Sequence, residues 1–193
     1  MTCLVAVKNK QKDGTIRITM GSDRGIFMES EANEIVEYHL STTPKIWKRS
    51  FNNGKNDMLI GAAGNSTGCD DIEDLDFSKI KLTKKYQDNA ALFMREKIIP
   101  LIRAKFNGLE SPELLIAILD HVFYIDSAMA VIDTPSYGYS VGSASLPARA
   151  ALMTIEKLNK TGKMKPISIV KLALQIAESC SVTCKSPFDY LEI

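Results

Sequence analysis

The chain has 193 residues, of which 45% are hydrophobic and 24% charged, and its formal net charge at pH 7 is +1. This composition is typical of a soluble globular protein with one good-sized core, and the near-zero charge gives no reason to expect nucleic acid or a membrane as a partner. No apolar run approaches the ~20 residues that span a bilayer. The apolar start lacks the basic segment and cleavage site of a signal peptide, so we expect a cytoplasmic protein.

The residue types that most often bind metals are scattered. Cys180 and Cys184 have the i,i+4 spacing of a helical pair, but no histidine or second cysteine pair completes a zinc set. His39 and His121 lie far apart in sequence. We therefore expect free cysteines and neither a resident metal site built from side chains nor an organic cofactor.

The first 40 residues predict a β-hairpin followed by a less regular segment. The apolar residues 3–8 and the alternating residues 15–20 predict two strands, and Asp13-Gly14 between them is a strong hairpin-turn signal. Residues 21–25 predict a turn. The acidic, mixed segment 27–39 is expected to be irregular or partly helical.

Further strands and helices follow in clusters. The predicted strands cover residues 45–51, 57–63, 113–119, 121–125, 128–132 and 137–141. The predicted helices cover residues 66–75, 88–106, 147–158 and 167–180. Asn52-Asn53-Gly54 predicts a second hairpin turn, Ser66 or Thr67 predicts a helix cap, and Pro100 predicts a kink or break. Pro147 suits a first helical turn, and the tail 181–193 is short and partly apolar.

The order of these elements favours one class of fold. Strands come in clusters and helices in two blocks, which argues against regular βαβ alternation and for a layered α+β fold. We find no internal repeat, low-complexity stretch or linker, so residues 1–193 are expected to form a single domain.

Thr2 is the first candidate for chemistry. The chain opens Met1-Thr2-Cys3-Leu4, so a small hydroxyl residue stands directly before an apolar run. Removal of Met1 would leave Thr2 with a hydroxyl and a free α-amino group, and the amine could take the proton of its own side chain. An α-amino group titrates near ~8, which leaves much of it neutral at cellular pH.

Four further motifs follow Thr2 in a fixed order. They are Gly21-Ser22-Asp23-Arg24-Gly25, Thr43-Pro44-Lys45-Ile46-Trp47-Lys48, Leu59-Ile60-Gly61-Ala62-Ala63-Gly64-Asn65-Ser66 and Tyr139-Ser140-Val141-Gly142-Ser143-Ala144-Ser145. With the N-terminal threonine, this set resembles the proteasome β-type family of N-terminal-nucleophile hydrolases, nearest to the HslV-type peptidases of bacteria. The resemblance covers most of the chain and is poorest from about residue 70 to 112.

The resemblance implies a fold and a set of catalytic residues. The fold would be a four-layer αββα sandwich of two antiparallel sheets between helices. Thr2 would be the nucleophile, Asp23 would orient a cation, and Lys45 would place positive charge beside the hydroxyl. The backbone N–H of Gly64 would stabilise the oxyanion, and Ser143 would hydrogen-bond the threonine amine.

Two rivals and two departures from the family pattern stay open. Lys48 competes with Lys45, although strand alternation should turn it elsewhere unless a bulge intervenes. Ser145 competes with Ser143, or caps the helix that follows. Asn65 stands where the family has a second glycine, and the spacing between Asp23 and Lys45 indicates an insertion within residues 26–43.

The resemblance also implies contacts outside the catalytic group. Substrate would be bound by Ile26, Trp47, Ala62 and Ser66. A monovalent cation would be held by backbone carbonyls near Ser181 and Cys184, leaving no side-chain signature. The protein would form a homo-oligomeric ring or double ring that acts on peptides, with an ATPase unfoldase as a further partner.

Three functional hypotheses follow. The first is a self-compartmentalising threonine peptidase that acts through Thr2 after Met1 is removed. The second is a non-catalytic shell protein with the same assembling fold, which retention of Met1 would favour because the amine would then belong to Met1. The third is a small-molecule amidase of the same superfamily, with the same chemistry and a different pocket.

Overall fold

The computed structural model describes residues 2–29, 35–64, 66–106, 111–135, 137–159 and 163–193, with side chains for all of these except 27–29, 35–38, 66 and 67. The strands are β1 (Leu4–Lys10), β2 (Ile16–Asp23), β3 (Gly25–Glu29), β4 (Ile35–Leu40), β5 (Ile46–Phe51), β6 (Asn56–Ala63), β7 (Glu113–Ile118), β8 (His121–Ile125), β9 (Val131–Asp133), β10 (Gly138–Val141) and β11 (Phe188–Glu192). The helices are α1 (Ser66–Glu73), α2 (Lys84–Gln87), α3 (Ala90–Phe93), a π-helical turn (Met94–Ile98), α4 (Ile99–Phe106), α5 (Ser145–Leu158) and α6 (Pro166–Cys180).

The described strands form three antiparallel sheets. One has the order β10-β1-β2-β11, a second has the order β5-β6-β7-β8-β9, and β3 pairs with β4 in a two-stranded sheet. Because every pairing is antiparallel, tight hairpins can join neighbouring strands, as the sequence predicts. The layered α+β expectation is confirmed.

Side-chain alternation along each strand builds the layers. In β1, Val5 and Val7 pack against α5 and α6, whereas Leu4 and Ala6 face the five-stranded sheet. In the same way β6 turns Ile60 toward α1–α4 and the neighbouring residues toward the other sheet. Since both faces of both central sheets are covered, the result is the expected αββα sandwich. Among the described residues, no helix is long and apolar enough to cross a membrane.

The predicted hairpin turns are present and use residues that tolerate left-handed backbone. Gly14 has a φ of 87° between β1 and β2, and Asn52 and Asn53 have φ of 53° and 56° between β5 and β6. Asparagine and glycine suit these conformations because their steric cost there is low. Leu119 and Asp120 join β7 to β8 with φ of 48° and 64°, a two-residue turn.

Several element predictions are wrong. Residues 21–25 do not form a turn, because β2 continues to Asp23 and β3 begins at Gly25. The segment 27–39 is not irregular or helical, since its described parts lie in β3 and β4, while residues 30–34 lie outside the described residues. Strand β9 begins at Val131 and ends at Asp133, later than the predicted 128–132.

Two further elements were not predicted. The partly apolar tail contains β11, which pairs with β2 along its outer edge. The short helix α2 precedes the predicted helix 88–106, which is itself divided by a π-helical turn that ends two residues before Pro100. The turn widens the helix near the proline, whose missing N–H and bulky ring disrupt regular α-helical bonding.

Candidate active site

Thr2 lies immediately before β1, beside the turn that follows β10. Its backbone N–H donates to Ser143 Oγ at 3.3 Å, and the residue is 2% exposed. Gly142 has a φ of 98°, and a Cβ there would lie 2.1 Å from the Thr2 carbonyl oxygen. Only glycine permits this backbone conformation and approach without displacement, so Gly142 fixes the position of Thr2 against the turn.

Asp23, at the end of β2, holds the chain on both sides of the site. One carboxylate oxygen accepts the N–H of Cys3 at 2.7 Å, and the other accepts the N–H of Gly25 at 2.9 Å. The side chain is fully buried. Because these bonds link β2 to the residue after Thr2 and to the start of β3, Asp23 has a larger role than that of a turn residue.

Lys45 provides the countercharge for this carboxylate. Its Nζ is 3.4 Å from each Asp23 oxygen and donates to the Gly25 carbonyl oxygen at 2.5 Å. The Lys45 side chain is only 10% exposed. Burial raises the pKa of Asp23, whereas Lys45 and the two backbone donors act in the opposite direction. Because the pair is buried, its charges interact more strongly with each other and with a nearby reacting group than they would in water.

The rival lysine and serine are occupied elsewhere. Lys48 pairs with Asp57 at 3.0 Å, and its side chain is 45% exposed. Ser145 opens α5, where its carbonyl accepts the Ser140 hydroxyl at 2.7 Å. The geometry therefore brings together Thr2, Asp23, Lys45 and Ser143 as the sequence predicts, and it directs both rivals to other partners.

A hydroxyl network that the sequence did not predict extends from Ser143. Its Oγ donates to Thr183 Oγ1 at 3.0 Å, and Thr183 Oγ1 lies 2.7 Å from Ser181 Oγ. The sequence signal for this network is the pair of hydroxyl residues in Ser181-Val182-Thr183. The three hydroxyls can pass or share protons, since each both donates and accepts.

Gly64 lies beyond the end of β6, where the oxyanion donor was predicted. Its φ is 152°, and a Cβ there would lie 3.2 Å from Pro112. The preceding residue, Ala63, would lie 3.3 Å from a Cβ at Gly142, the glycine that contacts Thr2. The Ala-Gly loop is therefore a neighbour of the Thr2 segment, and the role of Gly64 as oxyanion donor stays a prediction.

The predicted substrate-binding residues are less accessible than expected. Trp47 and Ala62 are buried in the core between the five-stranded sheet and the helices α1–α4. Ile26 lies in β3 and is half-buried, and Ser66 opens α1, with a side chain outside the described residues. Neither the Trp47 side chain, 5% exposed, nor the Ala62 side chain, 0% exposed, is open to substrate here, and all four assignments stay predictions.

The cysteines form no alternative site. Hydrogen bonding with Cys184 and burial raise the pKa of the Cys3 thiol, and burial raises that of Cys69 to about 11. Thiols of this kind are poor nucleophiles, because the thiolate is the reactive form. The four cysteines are free, and the described residues contain no group of three side chains suited to a metal ion. The expected cation near Ser181 and Cys184 stays a prediction.

Comparisons with known proteins show the fold. No family model matches the chain, and no curated protein matches it by sequence. HslV from Trypanosoma brucei is similar in structure, with a TM-score of 0.64 at 15% identity, over 100% of this chain and 98% of that one. BPH from Thiobacillus denitrificans, in complex with epoxomicin, has a TM-score of 0.68 at 16% identity, over 98% and 97%.

A third similar structure is the Anbu complex from Pseudomonas aeruginosa, in a helical assembly. Its TM-score is 0.62 at 14% identity, over 100% of this chain and 81% of that one. The fold is therefore that of the proteasome β-type N-terminal-nucleophile hydrolases, as the sequence motifs predicted. At these identities the likeness defines the fold, and the activity has to be argued from the site.

The buried pair gives a stability prediction. Asp23→Asn should lower the free energy of unfolding by about 3–5 kcal/mol, because Lys45 would keep a buried charge without its partner. Asp57→Asn is the matched control: its partner Lys48 is exposed, so its loss should cost under about 1 kcal/mol. Urea unfolding followed by circular dichroism measures both. Equal, small effects would mean that the Asp23–Lys45 pair does not hold the site together.

Proposed function

We propose that this protein is a subunit of a self-compartmentalising threonine peptidase, which hydrolyses peptide bonds through Thr2 once Met1 has been removed. The observation that carries the proposal is the convergence of Thr2, Ser143 and the buried Asp23–Lys45 pair at one end of the two central sheets. A hydroxyl, a fixed positive charge and an α-amino group are the parts that an N-terminal nucleophile requires.

The first chemical step would form an acyl-enzyme. Thr2 Oγ1 attacks the peptide carbonyl while its own α-amino group accepts the hydroxyl proton. Lys45 favours the developing negative charge, and Asp23 holds that lysine in place through its two contacts at 3.4 Å. The proton then passes to the leaving amine, with Ser143 positioned to hold the α-amino group through the contact now made by the Thr2 N–H.

The second step would release the product. The N–H of Gly64 is the proposed donor to the oxyanion in both tetrahedral states. Water, activated by the same α-amino group, attacks the Thr2 ester and regenerates the hydroxyl. No cofactor is needed for these steps, because the amine supplies both the base and, after protonation, the acid.

Removal of Met1 is part of the proposal for two reasons. With Met1 present, the Thr2 nitrogen belongs to a peptide bond and cannot act as a base. Thr2 is also 2% exposed in the untrimmed chain, so a substrate carbonyl has little access to its hydroxyl. A chain that kept Met1 in its host would instead fit the alternative hypothesis of a non-catalytic shell.

Self-assembly is the second part of the proposal. Six of the eight large hydrophobic side chains that the described residues expose lie on α5, on α6 or just after α6: Leu146, Met153, Leu158, Ile167, Leu172 and Val182. Leu146 and Met153 are seven residues apart on α5 and share its outer face. Grouped apolar surface of this kind supports contact with another subunit. We propose a homo-oligomeric compartment that takes peptides, with an ATPase unfoldase as partner for folded substrates.

Hydrolysis of a short fluorogenic peptide tests the chemistry. Protein trimmed to Thr2, verified by intact mass, should be active, and Thr2→Ala should lower kcat/KM by about 10³-fold or more, because the covalent nucleophile is lost. Untrimmed protein should be as inactive as the variant. Thr2→Ala turning over peptide at the parent rate would rule out Thr2 as nucleophile. Inactivity of trimmed, assembled protein on a panel of peptides would favour the shell hypothesis.

The role of Lys45 has its own matched control. In trimmed protein, Lys45→Met should lower kcat by about 10²-fold, the effect of removing one preorganised electrostatic group. Lys48→Met, three residues further along the chain and exposed, should change kcat by less than about twofold. The site assignment is wrong if Lys48→Met is crippled and Lys45→Met is not. Thermal unfolding of both variants separates lost chemistry from lost folding.

Assembly is tested on the apolar face of α5. Multi-angle light scattering at micromolar concentration should give a mass several times the 21.3 kDa of one chain. Met153→Glu should weaken the association by about tenfold or more, since it places a charge in an apolar contact. Ile132→Glu, an exposed apolar residue on β9, is the control and should have little effect. A monomer at all concentrations would contradict the assembly proposal without bearing on the peptide assay.

A further inference from the structure

The outer layer that contains α1 and α2 carries many charged residues, whereas the layer of α5 and α6 exposes apolar side chains. In the layer of α1 and α2, two blocks of opposite charge follow one another. Residues 70–76 contain five carboxylates and no basic residue, and residues 79–85 contain four lysines and no acid. With a net charge of +1, the whole chain is nearly neutral. The charges are therefore segregated on this layer and are not a sign of a generally acidic or basic protein.

The lysine block is held on a fixed backbone. Phe77 and Tyr86, at its two ends, are buried in the core beneath α1–α4. The turn between β5 and β6 ties the segment down, because the N–H of Asn52 donates to the Ile80 carbonyl at 2.8 Å and the N–H of Asn53 donates to the Ser78 carbonyl at 3.0 Å. The exposed lysines therefore project from a built surface and not from a free loop.

These lysines surround a groove of about 500 Å³. Its lining consists of Lys79, Ile80, Lys81, Thr83, Lys85, Tyr86 and Lys97. The nearby carboxylate of Glu96 is already bound by Lys85 at 3.1 Å and by the Tyr86 hydroxyl at 2.8 Å. Within the part of the chain that the structure describes, no carboxylate forms an ion pair with Lys79 or Lys81. The groove is therefore lined by four lysines, of which Lys85 is paired with Glu96 and Lys79 is near enough to Asp76 for their charges to attract.

The acidic block carries exposed carboxylates, whose charge is opposite to that of the lysine groove. Asp70 and Asp74 are exposed and lie four residues apart, and the N–H of Asp74 donates to the Asp70 carbonyl at 3.2 Å, so the two share a helical face. Asp71 is paired with Lys105 at 3.2 Å, and Asp76 accepts the N–H of Ser78 at 2.8 Å. Among the described residues, no ion pair is formed by Asp70 or Asp74.

From this complementarity we infer that the Asp70–Asp74 face of one copy docks on the lysine groove of a second copy of this chain. The inference rests on the proposed self-assembly and adds a second, polar contact to the apolar one on α5. A nucleic acid fits the groove less well, because its one aromatic residue, Tyr86, is buried and has no exposed ring on which a base could stack. Since the two patches differ, the contact can repeat from copy to copy.

A charge-swap experiment tests this contact. Two double variants, Lys79→Glu with Lys81→Glu and Asp70→Lys with Asp74→Lys, each place like charges across the contact. Each alone should weaken association by about tenfold or more in sedimentation velocity at low salt. An equimolar mixture should restore it, because the acidic groove of one variant then meets the basic face of the other. For the parent protein, 0.5 M salt should weaken association, because charges are screened.

The control is Lys10→Glu with Lys12→Glu, which makes the same change in net charge on two exposed lysines at the same spacing in another part of the surface. This control should assemble as the parent does. The inference is overturned if either double variant assembles normally, or if the mixture stays dissociated although both variants are folded by circular dichroism. It is also overturned if polyphosphate or single-stranded RNA binds the groove in an anisotropy assay while the lysine variant still assembles.

These results separate the proposals. A parent protein that is monomeric at every concentration would remove both the assembly proposal and this contact. An assembly that tolerates the charge reversals but not Met153→Glu would remove the polar contact alone. Peptide hydrolysis by the trimmed protein is measured independently of either result.

Discussion

The site depends on one buried carboxylate. Asp23 receives the N–H of Cys3, the N–H of Gly25 and the charge of Lys45, so three segments from different parts of the chain meet at its two oxygens. A carboxylate without these partners could not be buried at acceptable cost, and a buried Lys45 without the carboxylate would lack its countercharge. Asp23 and Lys45 therefore each need the other in order to be buried. Thr2 is held at the site because the next residue, Cys3, donates its N–H to Asp23.

The layered fold follows largely from local rules that the sequence displays. Alternation in β1 and β6 divides their side chains between two cores, and the turns at Asp13-Gly14 and Asn52-Asn53-Gly54 fix the hairpins. The wrong element predictions fall where strand pairing depends on residues that are far apart in the sequence. Strand β11 is short and mixed in composition, and it becomes a strand because β2 offers it an open edge.

Only part of the site was predictable from residue chemistry. Thr2 could be selected because a hydroxyl directly after Met1 can become an N-terminal nucleophile, whereas Asp23 and Lys45 were selected through the resemblance of their motifs to a known family. Thr183 could not, since a lone threonine in a tail has many neutral explanations and its contact with Ser143 spans 40 residues of sequence. The substrate-binding assignments failed to gain support for the opposite reason: apolar residues such as Trp47 fill the core as readily as they line a pocket.

The charges around Thr2 also bear on how its amine would act. Asp23 and Lys45 form an ion pair beside the Thr2 segment, and the contacts beyond Ser143 run through the neutral hydroxyls of Thr183 and Ser181. A hydroxyl is a weak base, and Lys45 is engaged with Asp23 and with the Gly25 carbonyl. In the proposed mechanism the freed Thr2 amine would therefore take the hydroxyl proton in one step and return it in the next. In the proposed mechanism Lys45 supplies positive charge near the hydroxyl and the hydroxyl network supports the position of Thr2, so the base would be the N-terminal amine itself.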